Sequence, residues 1–279
     1  MIPQRNLSLL SNRLARKGGR RIPEAVLERD YCLSWFLAGL STTSLTDVLA
    51  FKGGTAIRKC YVPDYRFSED LDFTLKEVVS FEKINEHLIF VFEYVERSSG
   101  IKLHIGRNDR HSHENSHTFY LGYEGPLPGA AMKEIKIDIT IKEKIVFPIA
   151  SRPVLKAYGE YEDLPDDAKI GVYSIQEIAA EKIVALIDPA RNEPRDLYDL
   201  WYLTNNKYVD LALLTEAVEL KMEFRQKILS DFKDGLIRKE VRLKKLWNLR
   251  LSAQMAFLPE FDAVYRAVLR KLRLAGFLY

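Results

Sequence analysis

Val48-Leu-Ala-Phe-Lys-Gly-Gly-Thr55 and Arg66-Phe-Ser-Glu-Asp-Leu-Asp-Phe73 are the two stretches that decide the fold. In the first, a strand-like segment ends in two glycines and helix-forming residues follow. The second is strand-like and carries two carboxylates at positions i and i+2. Because side chains on a strand alternate between its faces, Asp70 and Asp72 are expected to share one face. The apolar residues beside them are then expected to enter a core.

These two stretches also indicate a chemistry. A Gly-Gly turn at the start of a helix lets backbone N–H groups approach a phosphate closely, which makes Gly53 and Gly54 candidate phosphate contacts. Carboxylates that share a strand face attract a divalent metal, which makes Asp70 and Asp72 candidate metal ligands. The combination is typical of metal-assisted nucleotidyl transfer.

The composition of the 279-residue chain is that of an ordinary globular protein, with 47% hydrophobic and 29% charged residues and a net charge of +3. No apolar run approaches the ~20 residues that span a bilayer. The N-terminus lacks the charged-then-apolar pattern of a signal peptide. Cys32 and Cys60 are too few for a disulfide framework and are predicted to be buried thiols. We therefore expect a cytoplasmic protein without membrane contact.

The pattern of apolar residues predicts an α+β protein. The predicted strands are Val48–Phe51, Phe67–Leu75, Ile101–Gly106, Thr118–Tyr123 and Met132–Ile141. The predicted helices are 3–16, Pro23–Gly39, Thr55–Cys60, Phe81–Ser98, Ser174–Asp188 and Arg195–Thr204. After Leu211 the pattern is almost wholly helical. We expect a mixed-sheet core with N-terminal helices over 1–172 and a helical C-terminal domain over 173–279 that contributes residues to the site.

Four further residues are candidates for the site. Asp138, on an alternating strand, is a candidate third carboxylate, since nucleotidyl transfer uses acidic groups to hold Mg²⁺ on the triphosphate; the alternative is a solvated strand face. Ser68 would share the strand face of Asp70 and contact a phosphate, or simply start the strand. Lys182 would clamp the triphosphate with its charge or extend to solvent along its helix. Asp196 would be a first-turn carboxylate, or it would orient Lys182 or the nucleophile.

Positive charge gathers in the C-terminal helices, where it either forms a solvated face or contacts a phosphate backbone. The cations concerned are Arg238, Lys239, Arg242, Lys244, Lys245, Arg250, Arg266, Arg270, Lys271 and Arg273.

Four motifs in consistent order resemble one family. They are Phe51-Lys-Gly-Gly-Thr-Ala-Ile-Arg-Lys59, Arg66-Phe-Ser-Glu-Asp-Leu-Asp-Phe73, Glu181-Lys-Ile183 and Arg195-Asp-Leu-Tyr-Asp199 with its following leucine. The chain is similar here to the AbiEii/AbiGii toxins, which include the mycobacterial MenT toxins and belong to the polymerase-β-like nucleotidyltransferases. The match spans roughly residues 20 to 205.

The resemblance implies a set of site residues. The metal carboxylates of the motif fall on Asp70 and Asp72, its lysine on Lys182, and its late aspartate on Asp196, with Asp199 as the second choice. Its nucleotide-contacting positions fall on Gly53, Gly54, Thr55 and Ser68. The chain has Gly-Gly where many superfamily members have Gly-Ser, so Thr55 is the candidate replacement for the serine hydroxyl.

The resemblance also implies Mg²⁺ and an NTP as cofactor and substrate, and a cognate antitoxin encoded nearby as partner. It further implies transfer of nucleotides to the 3′ end of tRNA, which blocks translation. Two alternatives remain open. The acceptor hydroxyl could belong to a protein or a small molecule, or the chain could be a degenerate module that binds nucleic acid without catalysis.

Overall fold

A computed structural model of the chain describes residues 1–16, 19–108, 115–129, 133–232 and 234–279. These residues form two compact units. The first comprises Met1–Lys142 and Ile149–Val172, and the second comprises Glu143–Pro148 and Tyr173–Tyr279. A short segment between two strands of the first unit therefore belongs structurally to the second.

The first unit is built on one mixed sheet of seven strands in the order β3-β4-β5-β2-β1-β7-β6. The strands are β1 (Leu49–Lys52), β2 (Leu71–Leu75), β3 (Lys102–Asn108), β4 (Ser116–Glu124), β5 (Glu134–Thr140), β6 (Ala150–Pro153) and β7 (Lys169–Val172). Pairing is parallel between β2 and β5 and between β1 and β7, and antiparallel elsewhere. This arrangement confirms the predicted mixed-sheet fold.

The strand predictions differ from the structure in two respects. β2 begins at Leu71 rather than at Phe67, because the residues from Arg66 to Asp70 have no regular structure. β6 and β7 are present although the sequence predicted no strand there. The predicted first residue of the β5 strand, Met132, lies outside the described residues.

Five helices complete the first unit: α1 (Gln4–Ala15), α2 (Glu24–Leu40), α3 (Leu45–Val48), α4 (Gly53–Cys60) and α5 (Phe81–Ser99). α5 is capped by Ser80, whose hydroxyl accepts from the N–H of Lys83, and it ends at Gly100 with φ of +75°. The isoleucines of β5 at positions 135, 137 and 139 are all buried, as their alternation predicted.

The second unit is helical. It contains α6 (Ile175–Ile187), α7 (Pro194–Asn205), α8 (Thr215–Phe224), α9 (Gly235–Arg238), α10 (Glu240–Leu251) and α11 (Phe261–Leu274). Two 3₁₀ helices, Leu211–Leu214 and Leu229–Phe232, connect them. The predicted start of α6 is confirmed, since the Ser174 hydroxyl accepts from the N–H of Glu177 at 3.1 Å.

Glu177 does not complete the reciprocal half of that capping box. Its carboxylate is fully buried and accepts instead from the N–H groups of Val146 and Phe147, at 3.0 and 2.8 Å, and pairs with Lys221 at 2.6 Å. These bonds explain why the segment Glu143–Pro148 is part of the second unit, because buried backbone N–H groups need partners.

In the first unit, Cys32 and Cys60 are free and buried, as predicted. Burial raises the pKa of the Cys60 thiol to about 12. Among the described residues, the helices are either too short or too polar to cross a membrane.

Candidate functional site

Asp72 and Asp138 lie side by side in the centre of the sheet of the first unit. Asp72 on β2 is in register with Asp138 on the parallel neighbour β5, and on its other side with Lys52 at the end of β1. Neighbouring strands are about 4.8 Å apart and residues in register share a face, so both carboxylates project from one face. The apolar residues adjacent to them in sequence are buried: Leu71, Phe73, Ile137 and Ile139.

The glycine turn lies against the Asp72 carboxylate. Gly53 has φ of +78°, and a Cβ built on it would come within 2.8 Å of Oδ2 of Asp72. A side chain at Gly53 would therefore be strained by its backbone and would collide with the acid. Glycine at this position lets the first turn of α4 approach the Asp72 carboxylate closely.

Thr55 and Ser68 occupy different positions from those expected. Thr55 is 1% exposed, and its hydroxyl donates to the main-chain oxygen of Asp70 at 2.6 Å. The hydroxyl thus holds the backbone just before β2. Ser68 is buried and precedes β2, so the prediction that it shares a strand face with Asp70 is wrong. Asp70 itself lies one residue before the strand.

A buried ion cluster holds the segment that leads to Asp70. Arg58 on α4 pairs with Asp30 at 2.8 Å and donates to the carbonyl oxygens of Pro63, at 3.1 Å, and Tyr65. Lys59 pairs with the same carboxylate at 2.7 Å. Burial alone would raise the pKa of Asp30, but attraction to the two cations outweighs it and lowers the pKa to about 2. α4 therefore anchors this loop at Thr55 and again at Arg58.

Asp138 has loosely held partners on its own sheet face. The Thr118 hydroxyl donates to its Oδ1 at 3.3 Å, and the Lys136 ammonium approaches its Oδ2 at 3.4 Å. Lys52 donates to the hydroxyl of Thr140 at 3.0 Å. The sequence analysis did not single out these four residues. Thr118 and Lys52 lie on other strands and are found only through the strand register, whereas alternation along β5 already places Lys136 and Thr140 on the face of Asp138. Lys52 could still have been proposed as a site residue from the sequence, since it directly precedes the two glycines.

The expected convergence of three acidic groups is not formed. Among the residues that the structure describes, no three His, Cys, Asp or Glu side chains are grouped so that they could hold a metal ion. Two carboxylates in register still fit Mg²⁺, which binds oxygen ligands and is usually held by one or two carboxylates together with substrate phosphates. The glycine turn brings the backbone at the start of α4 close to the Asp72 carboxylate.

In the second unit, Lys182 is held between two aspartates of α7. Its ammonium lies 2.6 Å from Asp196 and 2.8 Å from Asp199, and both carboxylates are buried. Arg191 pairs with the other oxygen of Asp196 at 2.6 Å. Burial would raise the pKa of Asp196, but Lys182 and Arg191 lower it. Of the two interpretations of Asp196, this geometry favours the one in which it orients Lys182. Both of the late aspartates contact the lysine.

Lys239 holds the loop that carries Arg191. Its ammonium donates to the carbonyl oxygens of Asp188, at 2.8 Å, and Arg191, at 2.9 Å, just beyond the C-terminus of α6. It is 4% exposed, and burial lowers its pKa to about 8. Lys239 is therefore not part of the basic surface in which the sequence placed it.

The remaining basic residues of the C-terminal helices are mostly exposed. Lys244 pairs with Asp262 at 2.8 Å, and Arg238 pairs with Asp234. Within the described part of the chain, no ion pair involves Arg242, Lys245, Arg250 or Arg270.

The chain is similar to known proteins in sequence and in fold. Residues 35–267 match the family model described as the nucleotidyl transferase AbiEii toxin of type IV toxin–antitoxin systems. The fold is similar to that of MenT4, a nucleotidyltransferase toxin from Mycobacterium tuberculosis H37Rv, with a TM-score of 0.66 and 19% identity over 97% of this chain and 90% of that one. No curated protein matches the sequence.

Proposed function

Because the chain belongs to the AbiEii family, and is thus a nucleotidyltransferase toxin of a type IV toxin–antitoxin system, we propose that it transfers a nucleoside monophosphate from an NTP to the 3′ end of tRNA. The 3′ hydroxyl forms the new bond to the α-phosphorus, the bond to the β-phosphate breaks, pyrophosphate leaves and the hydroxyl proton passes to solvent. The transfer depends on Mg²⁺ and inhibits translation. The observation that carries the proposal is the placement of Asp72 beside Asp138 with the Gly53 turn against the Asp72 carboxylate.

Each part of this site has a role in the proposed reaction. Asp72 and Asp138, in register on one face of the sheet, would hold Mg²⁺, and Asp70, just before β2, is the third candidate ligand. The backbone N–H groups at Gly53 and Gly54 contact the triphosphate at the start of α4. Mg²⁺ supplies charge neutralisation on the phosphate oxygens. Thr55 has a positioning role, because its hydroxyl donates to the main-chain oxygen of Asp70 and fixes the backbone there.

Lys182 is proposed to act on the nucleotide, as the resemblance implies, with Asp196 and Asp199 setting the position of its ammonium. The experiment is the Lys182→Ala variant, for which we expect a raised KM for the NTP. Unchanged turnover and unchanged KM would remove Lys182 from the reaction.

The family implies an antitoxin, and we propose that it is encoded adjacent to this chain and acts with it in the cytoplasm. Co-expression with the neighbouring reading frame should restore growth of cells that express the toxin. Growth arrest that persists with every adjacent frame would contradict this part of the proposal.

The central test is label transfer. Purified protein is incubated with total tRNA, Mg²⁺ and each α-³²P-labelled NTP, and we expect label on tRNA with at least one nucleotide and none in EDTA. Label on protein instead of RNA would select a protein acceptor. An absence of label on any acceptor, together with full toxicity of Asp72→Asn in cells, would support the non-catalytic alternative.

A further inference from the structure

A cavity of about 400 Å³ opens beside Asp70 in the first unit. Its wall is formed by α2, by the end of β4, by the start of β5 and by the residues just before β2. The lining residues that matter here are Ala25, Glu28, Arg29, Tyr120, Lys133 and Lys136. Lys136 also contacts Asp138 at 3.4 Å, so the cavity adjoins two of the candidate metal ligands, Asp70 and Asp138.

The cations of this cavity are already neutralised by carboxylates. Lys133 lies 2.8 Å from Glu28, Arg29 lies 3.7 Å from Glu69, and Lys136 pairs with Asp138. A triphosphate needs an excess of positive charge, which these pairs do not leave. The cavity therefore suits an uncharged part of a ligand.

The cavity is lined by hydrogen-bonding side chains of both kinds. From α2, Glu28 supplies a carboxylate and Arg29 a guanidinium. The first is an acceptor and the second a donor. A nucleobase carries donors and acceptors on its edge, and the half-buried ring of Tyr120 offers it a stacking surface.

The position of the cavity within the sheet assigns it to one substrate. The glycine turn follows β1, on one side of β2, whereas the cavity is lined by β4 and β5, on the other side. In phosphoryl transfer the attacking oxygen and the leaving group lie roughly in line on opposite sides of the phosphorus. With the triphosphate at the glycine turn, the cavity is on the side of the attacking hydroxyl.

We infer that this cavity binds the terminal nucleoside of the acceptor and presents its hydroxyl to the site of transfer. The inference rests on the proposed function. The size of the cavity supports it, because a serine or threonine side chain would fill only a small part of the space. The nucleoside could belong to an RNA 3′ end or to a free nucleotide, and we expect the RNA.

The experiment narrows the cavity without touching the catalytic machinery. Ala25 is exposed on α2 and lines the cavity, so Ala25→Trp should fill it and leave the core intact. Ser98→Trp, at an exposed position of α5, is the matched control. We expect Ala25→Trp to raise the KM for tRNA about tenfold, the scale of one stacked base, and to leave the KM for the NTP unchanged. Tyr120→Ala should act likewise, and Tyr120→Phe should resemble wild type.

A binding measurement without NTP separates this inference from the proposed function. Wild-type protein should bind tRNA more tightly than tRNA that lacks its terminal nucleoside, and Ala25→Trp should lose this preference. If wild type transfers no label, the proposed function fails. The preference for tRNA with its terminal nucleoside then decides by itself whether the cavity binds that nucleoside. A raised KM for the NTP, a free nucleotide that competes as well as tRNA, or equal behaviour of Ala25→Trp and Ser98→Trp would each overturn the assignment to an RNA end.

Discussion

Asp138 in the sheet and Asp196 in α7 are both predicted site residues, but their surroundings differ. The Asp138 side chain is 32% exposed, and its partners lie at 3.3 and 3.4 Å. The Asp196 side chain is 2% exposed, and its two cations each lie at 2.6 Å. Short charge-assisted bonds in a buried site are strong, whereas long ones to half-exposed groups exchange readily with solvent and ions.

This difference separates two functions of acidic residues in one protein. The Asp138 carboxylate can take up a cation at little cost, because its bonds to Thr118 and Lys136 are long. The carboxylates around Lys182 cannot, because each is already neutralised and is shielded from water. Asp138 is therefore suited to metal binding, and Asp196 and Asp199 are suited to holding a lysine in place. The predictions below test this separation.

The largest effect is expected for Asp72→Asn. Asparagine preserves the size of the side chain but removes the negative charge that holds Mg²⁺, so we expect transfer to fall at least about a hundredfold. The thermal midpoint should stay unchanged, because Asp72 is only half-buried. Label transfer and thermal denaturation measure the two quantities.

Glu77→Gln, an exposed acid in the loop after β2, is the control for this change and should keep full activity. Wild-type rates of transfer by Asp72→Asn would show that the sheet carboxylates do not take part in catalysis.

Lys182→Met is expected to affect stability. The substitution leaves two buried carboxylates without the cation between them, and breaking a buried pair in this way costs about 3–5 kcal/mol. Chemical denaturation measures the free energy of unfolding. Lys182→Met combined with Asp199→Asn removes one of the two charges and should be more stable than the single variant.

The exposed Lys245→Met on α10 is the comparison for Lys182→Met, since it changes the same residue type outside any ion pair. A loss below about 1 kcal/mol in both lysine variants would mean that the cluster around Lys182 contributes no more than a surface charge.

The sequence predicted those parts of the fold whose signals are local. Alternation placed the isoleucines of β5 in the core, and a serine at a helix start predicted the cap of α6. β6 was missed because most of its residues are exposed and no alternation marks it. β7 alternates, but it has only four residues. Glu177 departs from the capping box because partners distant in sequence bind its carboxylate more tightly than its own helix start does.

The site shows the same limit. The motif singled out Asp72 as a candidate, but the approach of Gly53, the first residue of α4, to its carboxylate was not predicted. The pairing of Asp72 with Asp138 depends on strand register, which is set by contacts between segments far apart in the chain. The carbonyl of Asp70 was an unforeseen partner of Thr55, because a threonine hydroxyl binds a phosphate or a carbonyl with equal ease.

Acid should reveal the contribution of the buried pairs. The pKa of Asp30 is about 2 in the folded protein against 3.8 as its ordinary value. Because the folded pKa is lowered, the stability that Asp30 contributes is present above pH 4 and is lost as the pH falls towards 2. This loss amounts to about 2 kcal/mol.

The free energy of unfolding of wild type and of Asp30→Asn is measured between pH 5 and pH 2. The quantity compared is the slope of this free energy against pH in the two proteins. The variant should be less stable at pH 5 but should lose less stability on acidification. Parallel curves would show that Asp30 is not ionised in its pair with Arg58 and Lys59.

The smallest effect is expected on the basic surface of α10, where the same contrast between paired and unpaired charges applies. Lys245 has no ion pair among the described residues, whereas Lys244 is held by Asp262. If these helices contact the phosphates of tRNA, Lys245→Gln should reduce the slope of log K for tRNA binding against log salt concentration by about one, which corresponds to one released counterion. Lys244→Gln should reduce this slope less. Titrations at several salt concentrations measure both slopes. Equal, unchanged slopes would mean that α10 presents only a solvated face, and tRNA binding would then depend on the cavity beside Asp70.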